Sequence, residues 1–113
     1  MKPHFNCPVQ ATINALAGKW KVQIVWHLSF STLGFAQIRR TLGKVSEKVL
    51  AEQLKQLEAD GIVARAVRAT TPPHVDYSLT AAGRELIAPM QQLCDWGSKQ
   101  FGIKGSLHQP RGL

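Results

Sequence analysis

Acid is scarce in this chain. Seven Asp or Glu stand against fourteen Lys or Arg, a formal charge of +7, and none of the seven precedes position 47. Cysteine is almost absent as well: Cys7 and Cys94 are too few and too far apart for a disulfide framework, and no C-x-x-C pair occurs, which agrees with a reducing compartment. No apolar run approaches the ~18 residues that a membrane span needs, and "MKPHFNCP" lacks the hydrophobic core of a signal peptide. A cytoplasmic protein with no membrane partner is expected. The four histidines (His4, His27, His74, His108) are scattered, with "HFNC" the one near-ligand pair, so no metal site is expected. Also missing are a Gly-rich phosphate loop, a paired-carboxylate arrangement and a Ser/His/Asp pattern. The chain therefore reads as a non-enzyme without a cofactor.

The residues present are ordinary for a folded domain. At 113 residues and 44% apolar, the chain suffices for one domain around one modest core. Its charge is unevenly placed. Residues 1–46 hold Lys2, Lys19, Lys21, Arg39, Arg40 and Lys44 without an acid; residues 47–95 hold all seven acids against five bases. A basic chain of this kind favours a polyanion, and nucleic acid ahead of membrane, because no basic amphipathic helix has a large apolar face to spare.

Periodicity divides the chain without repeats or low-complexity tracts. "NCPVQATINALAG" reads as a helix capped by Asn6 or Cys7, opened by Pro8 and ended by Gly18, with Val9, Ile13 and Leu16 as a buried stripe. "KWKVQIVWHLS" reads as a second, with Trp20, Ile24 and Leu28 inward. A short helix over Phe35 to Leu42 is closed by Gly43, and after "GKV" another begins at the N-cap Ser46, where Val45 and Leu50 can form a hydrophobic staple. Two short helices joined by a Gly-containing three-residue turn are a helix-turn-helix. After Gly61, "IVARAVRA" and "VDYSLT" alternate on either side of "TTPPH" and read as a β-hairpin. Thr80 then caps a long helix to about Gln100, its stripe Leu86, Ile87, Met90, Leu93, Cys94 and Gly97, with a kink at Pro89. The Gly- and Pro-rich residues 101–113 read as a flexible tail beyond a domain of residues 1–100. The fold class is mainly α with a small β-hairpin, α+β: a winged helix-turn-helix.

At this point the sequence closely resembles the HxlR-type winged-helix transcriptional regulators, relatives of the MarR group. The matching pieces are "CPVQATINALAGKWKVQIVWHL", "FAQIRRTLGKVSEKVLAEQLKQLEADGIVAR", "PPHVDYSLTAAGREL" and "LCDWG", in order over about residues 7–97. The resemblance implies a homodimer on double-stranded, palindromic operator DNA, with the helix from Ser46 as recognition helix and the hairpin as wing. One departure is plain: in "FSTLGF", Gly34 stands where family members usually carry an Arg, so the usual backbone contact is not carried over to that place.

The candidate DNA-binding residues follow from these placements. With the leucine stripe inward, Ser46, Glu47, Lys48, Ala51, Glu52 and Lys55 form the outward arc of the recognition helix, where base edges are read. Arg39, Arg40 and Lys44 lie where such folds meet phosphates. On the wing, Arg68, Thr70, Thr71 and His74 lie near the tip; strand alternation puts Arg65 on the other face. Taken without the hairpin, the same helix face is merely solvated, and a winged-helix protein-interaction module without nucleic acid is the rival reading. The last helix is long for so small a domain, which points to a symmetric interface of Leu86, Met90, Leu93, Trp96 and Gly97 with Val9 and Ile13 of the first helix. Cys7 has two readings. It lies at a helix N-terminus near Lys2 and His4, features that favour a reactive thiolate, and the resemblance implies a sensor of electrophiles or oxidants there, with a small-molecule or electrophile effector. Otherwise it only packs or caps. Cys94, in the apolar stripe, reads as inert and buried.

Overall fold

A computed structural model of the chain describes residues 6–104. Its elements in order are α1 (Pro8–Leu16), α2 (Lys21–Leu28), β1 (Leu33–Gly34), α3 (Phe35–Leu42), α4 (Glu47–Ala59), β2 (Val63–Arg68), β3 (His74–Leu79), α5 (Ala81–Glu85) and α6 (Ile87–Phe101). The three strands form an antiparallel sheet in the order β1-β3-β2. This is the expected winged helix with one addition: β1 is too short for alternation to reveal it, and exists because Leu33 and Gly34 pair with Tyr77 and Asp76.

One apolar cluster holds the elements together. It takes Ile24, Val25 and Leu28 from α2, Leu33 from β1, Ile38 from α3, and Leu50, Leu54 and Leu57 from α4. Val45 in the turn, Ile62, Val63, Tyr77, Leu79 and Met90 complete it. Val45 and Leu50 are both buried in it, at the staple positions expected from the sequence. The end of α4 is a Schellman motif: Ile62 N–H donates to Leu57 O and Gly61 N–H to Glu58 O, each at 3.0 Å. Gly61 supplies the left-handed φ of 74° that the motif requires. Ile62 and Leu57 are both buried, as is Val63, so the chain enters β2 from within the core.

Three expectations from the sequence need correction. The long helix from Thr80 is two helices, and the break is at Leu86, before Pro89. Pro89 falls in the first turn of α6, where its missing N–H has no intrahelical partner to lose, so it starts a helix instead of kinking one. Second, α1 buries no residue: Val9 and Ile13 are 60% and 62% exposed. Third, the stripe of α6 is divided: Leu86, Ile87 and Met90 pack on the core, whereas Leu93 and Trp96 stand 66% and 60% exposed and Cys94 is half-buried, not sealed. In both cases periodicity identified the apolar face, but the chain's own core covers only one end of it: Leu16 of the first stripe packs on the core, and Val9 and Ile13 do not. Helix α6 also takes in Phe101, the first residue of the expected tail. Residues 102–104 are irregular; the rest of that tail, like Lys2 and His4 beside Cys7, lies outside the described residues.

His27 on α2 is a buried polar group with a measurable consequence. It is 8% exposed and stacked on Trp26. Its Nδ1 has no hydrogen-bond partner among the described residues. Burial lowers its pKa below the ordinary 6.5, so the folded chain holds the ring neutral where the unfolded chain already binds a proton. Stability is therefore complete above 6.5 and declines as pH falls from there towards the lowered folded value. Thermal melts should be flat above about pH 7.5 and fall towards pH 5.5, and His27→Leu should flatten that slope. Identical pH profiles for the two proteins would assign the acid sensitivity elsewhere.

Candidate nucleic-acid interface

Helix α3 starts where Gln37 Oε1 accepts the Gly34 N–H at 2.8 Å and ends at Gly43, whose φ of 91° excludes an ordinary side chain. Its last turn carries Arg39 and Arg40, as the carbonyl end of a helix favours. The two arginines then diverge. Arg39 Nε donates to Val45 O at 3.0 Å and its Nη1 lies 3.4 Å from Glu47 Oε1, tying the end of α3 to the turn and to the first residue of α4. Arg40 is exposed and makes no hydrogen bond or ion pair among the described residues. The expected pair of phosphate contacts thus separates into Arg39, which holds the turn, and Arg40, which is free. A cleft of about 270 Å3 lies between the helices, lined by Phe35, Ala36, Arg39, Arg40, Gly43 and Glu47.

The start of α4 is fixed by Ser46, whose Oγ accepts the Val49 N–H at 3.1 Å. With Leu50, Leu54 and Leu57 buried, Lys48, Ala51, Glu52 and Lys55 are all exposed, as expected. Lys44, Lys48 and Lys55 make no ion pair among the described residues, while Glu52 Oε1 accepts from Gln56 Nε2 at 3.3 Å. The sequence reading omitted Val49, which is 40% exposed beside Lys48. The signal was there: it is an apolar residue lying off the leucine stripe.

The wing places its polar residues by register. Arg68 pairs with His74 across the hairpin, and Ala66 with Asp76, so Arg68, His74 and Asp76 share one sheet face while Arg65, opposite Tyr77, shares the other. Asp76 gathers its neighbours: Arg68 Nε lies 2.8 Å from Oδ2 and His74 Nε2 3.3 Å from Oδ1. The expected wing contacts Arg68 and His74 are therefore partly engaged within the wing, though each remains about half exposed. Thr70 Oγ1 donates to Pro72 O at 2.7 Å, and Thr71 is exposed. A Cβ at Gly34 would come 3.0 Å from His74 Nε2. The wing imidazole thus takes up the room that glycine leaves at position 34.

Cys7 is the N-cap of α1, half-buried, with no capping bond from its side chain; capping is thus removed from its two readings. No group of three or more His, Cys, Asp or Glu among the described residues could hold a metal ion. No helix among the described residues is long and apolar enough to cross a membrane.

Comparison with known proteins agrees with this geometry. The model of the HxlR-like helix-turn-helix family matches residues 15–104. An HTH-type transcriptional regulator of Bacillus subtilis, YybR, is 41% identical over 108 residues, 96% of this chain and 86% of that protein. Among solved structures, the redox regulator HypR in its reduced form is similar with a TM-score of 0.79 at 38% identity, over 84% of this chain and 94% of that one. The reduced form of the transcriptional regulator YodB from Bacillus subtilis gives 0.77 at 34% identity, over 85% and 95%.

Proposed function

The chain belongs to the HxlR-like helix-turn-helix family, a family of transcriptional regulators and not enzymes, and from that premise we propose that it binds operator DNA as a homodimer. The observation that supports this best is the outward arc of α4: Lys48, Ala51 and Lys55 are exposed, capped into position by Ser46 and flanked by Arg40 and Lys44, which have no ion-pair partner among the described residues. Cations that fold without partners suit phosphates, and a small residue such as Ala51 allows the helix to approach the groove floor.

Binding measured against salt tests this and separates the roles. Lys48→Ala should cost ~1–3 kcal/mol on a selected site and relax its sequence preference; Arg40→Ala should weaken all sequences alike and reduce the salt slope by about 1. Arg39→Ala should weaken binding while leaving that slope unchanged, because its guanidinium holds the turn. A wild type that binds no duplex at low salt would favour the protein-interaction module instead. Unchanged selectivity in Lys48→Ala would put the reading face elsewhere.

The proposal extends to Cys7 as a redox or electrophile sensor. Its thiol is free and half-buried, and makes no capping bond, at the start of a helix whose first turns the chain's own core leaves exposed, and HypR, a similar protein, is a redox regulator. Modification at this position would act on α1 and, through a symmetric interface, on the spacing of two recognition helices, which must match one turn of DNA, ~34 Å. Diamide or a quinone should release wild type and Cys94→Ser from DNA in a mobility-shift assay, and leave Cys7→Ser bound. A response lost only in Cys94→Ser would transfer the role to that residue.

A further inference from the structure

The large apolar side chains left exposed among the described residues fall mostly on α1, α6 and the segment after it, where a second copy of the chain can cover them. Val49 is the one on α4. It has no share in the core, and a β-branched residue on a helix surface is a poorer helix former than Ala. Its place is nevertheless well defined. Ser46 Oγ holds its N–H at 3.1 Å, and in a helix the valine χ1 has one strongly preferred rotamer, so its two methyls project rigidly. It lies in the first turn, beside Lys48, one helical step from Ser46 and Glu52, within the part of a recognition helix that meets base edges. In the major groove the one apolar group on a base edge is the 5-methyl of thymine.

We propose that Val49 is a specificity-determining residue that reads the 5-methyl group of a thymine in each operator half-site. This rests on the operator reading above. Glu52, its neighbour one turn on, adds an acceptor beside the methyl contact. The pair therefore favours a thymine next to a base pair that offers a major-groove amino group.

The test uses the full chain and a duplex recovered by it from a random-sequence library. Each thymine of that duplex is replaced in turn by deoxyuridine, which deletes only the methyl group. In wild type one replacement per half-site should weaken binding about three- to tenfold, the value of one buried methyl contact. Val49→Ala, which removes no core contact and suits a helix better, should stay folded, bind the parent duplex more weakly, and be indifferent to that same replacement. Selection repeated with Val49→Ala should relax the preference at that base pair alone. Wild-type binding that ignores every replacement overturns the thymine reading and leaves operator binding standing. So does a sensitivity that persists undiminished in Val49→Ala. A wild type that recovers no duplex overturns both.

Discussion

The double variant Leu93→Glu, Trp96→Glu should sediment as a monomer at micromolar concentration and bind a two-half-site operator about 10²–10⁴-fold more weakly than wild type. The reason lies in how α6 is used. It runs fifteen residues, yet Met90 is the only one it buries. Leu93 and Trp96 project beyond the core at 66% and 60% exposure, and Val9 and Ile13 on α1 are equally bare. Apolar surface of that kind on α1 and α6 suits a symmetric contact between one protomer and its partner. Four new carboxylates buried in one symmetric interface would also repel one another. Because neither residue helps to close the core of its own chain, the monomer should keep its helical circular dichroism. A variant that stays dimeric would place the interface on another surface.

Gly83→Ala should be among the most destabilising single substitutions in the chain, at about 2–4 kcal/mol, the upper range of overpacking. Gly83 lies in α5, where glycine normally costs ~1 kcal/mol relative to alanine, so helix propensity alone predicts a gain. The structure reverses that sign. A Cβ here would overlap the carbonyl oxygen of Ile62 and press on Leu79 Cβ, and both neighbours are fixed. Ile62 O accepts the Thr80 N–H at 3.0 Å, and Thr80 Oγ1 in turn accepts the Gly83 N–H at 3.0 Å while donating to Gly61 O. The Schellman end of α4 and the cap of α5 thus share one set of backbone groups. Relief would require one of them to open. For a domain of this size the loss corresponds to a fall in Tm of roughly 4–8 °C per kcal/mol. An unchanged or higher Tm would mean that α5 can shift away without cost.

Much of this protein was legible in its sequence because the information was local. The leucine period of α4, the cap at Ser46, the glycines at 43 and 61, and the alternation on either side of "TTPPH" each fix a conformation within a few residues, and together they spell a winged helix. The matching pieces of the chain then identified the family. The residues of the recognition face came from the same period: once Leu50, Leu54 and Leu57 are inward, the outward arc has no freedom.

What the sequence left undecided depends on atoms brought from far along the chain. Period shows that Val9, Ile13, Leu93 and Trp96 share apolar faces, but whether a face meets the core or solvent depends on how far the other elements reach, and here they stop at Met90. Composition supplied Arg39 and Arg40 as two equivalent cations; only the path of the turn carried Val45 O and Glu47 to one and left the other free. Asp76 acquires Arg68 through strand register, and β1 exists only because β3 lies beside it. Gly83 is an ordinary weak helix residue until the carbonyl of Ile62 is placed against it. Local periods fix which way a side chain faces, and tertiary contacts decide what it meets.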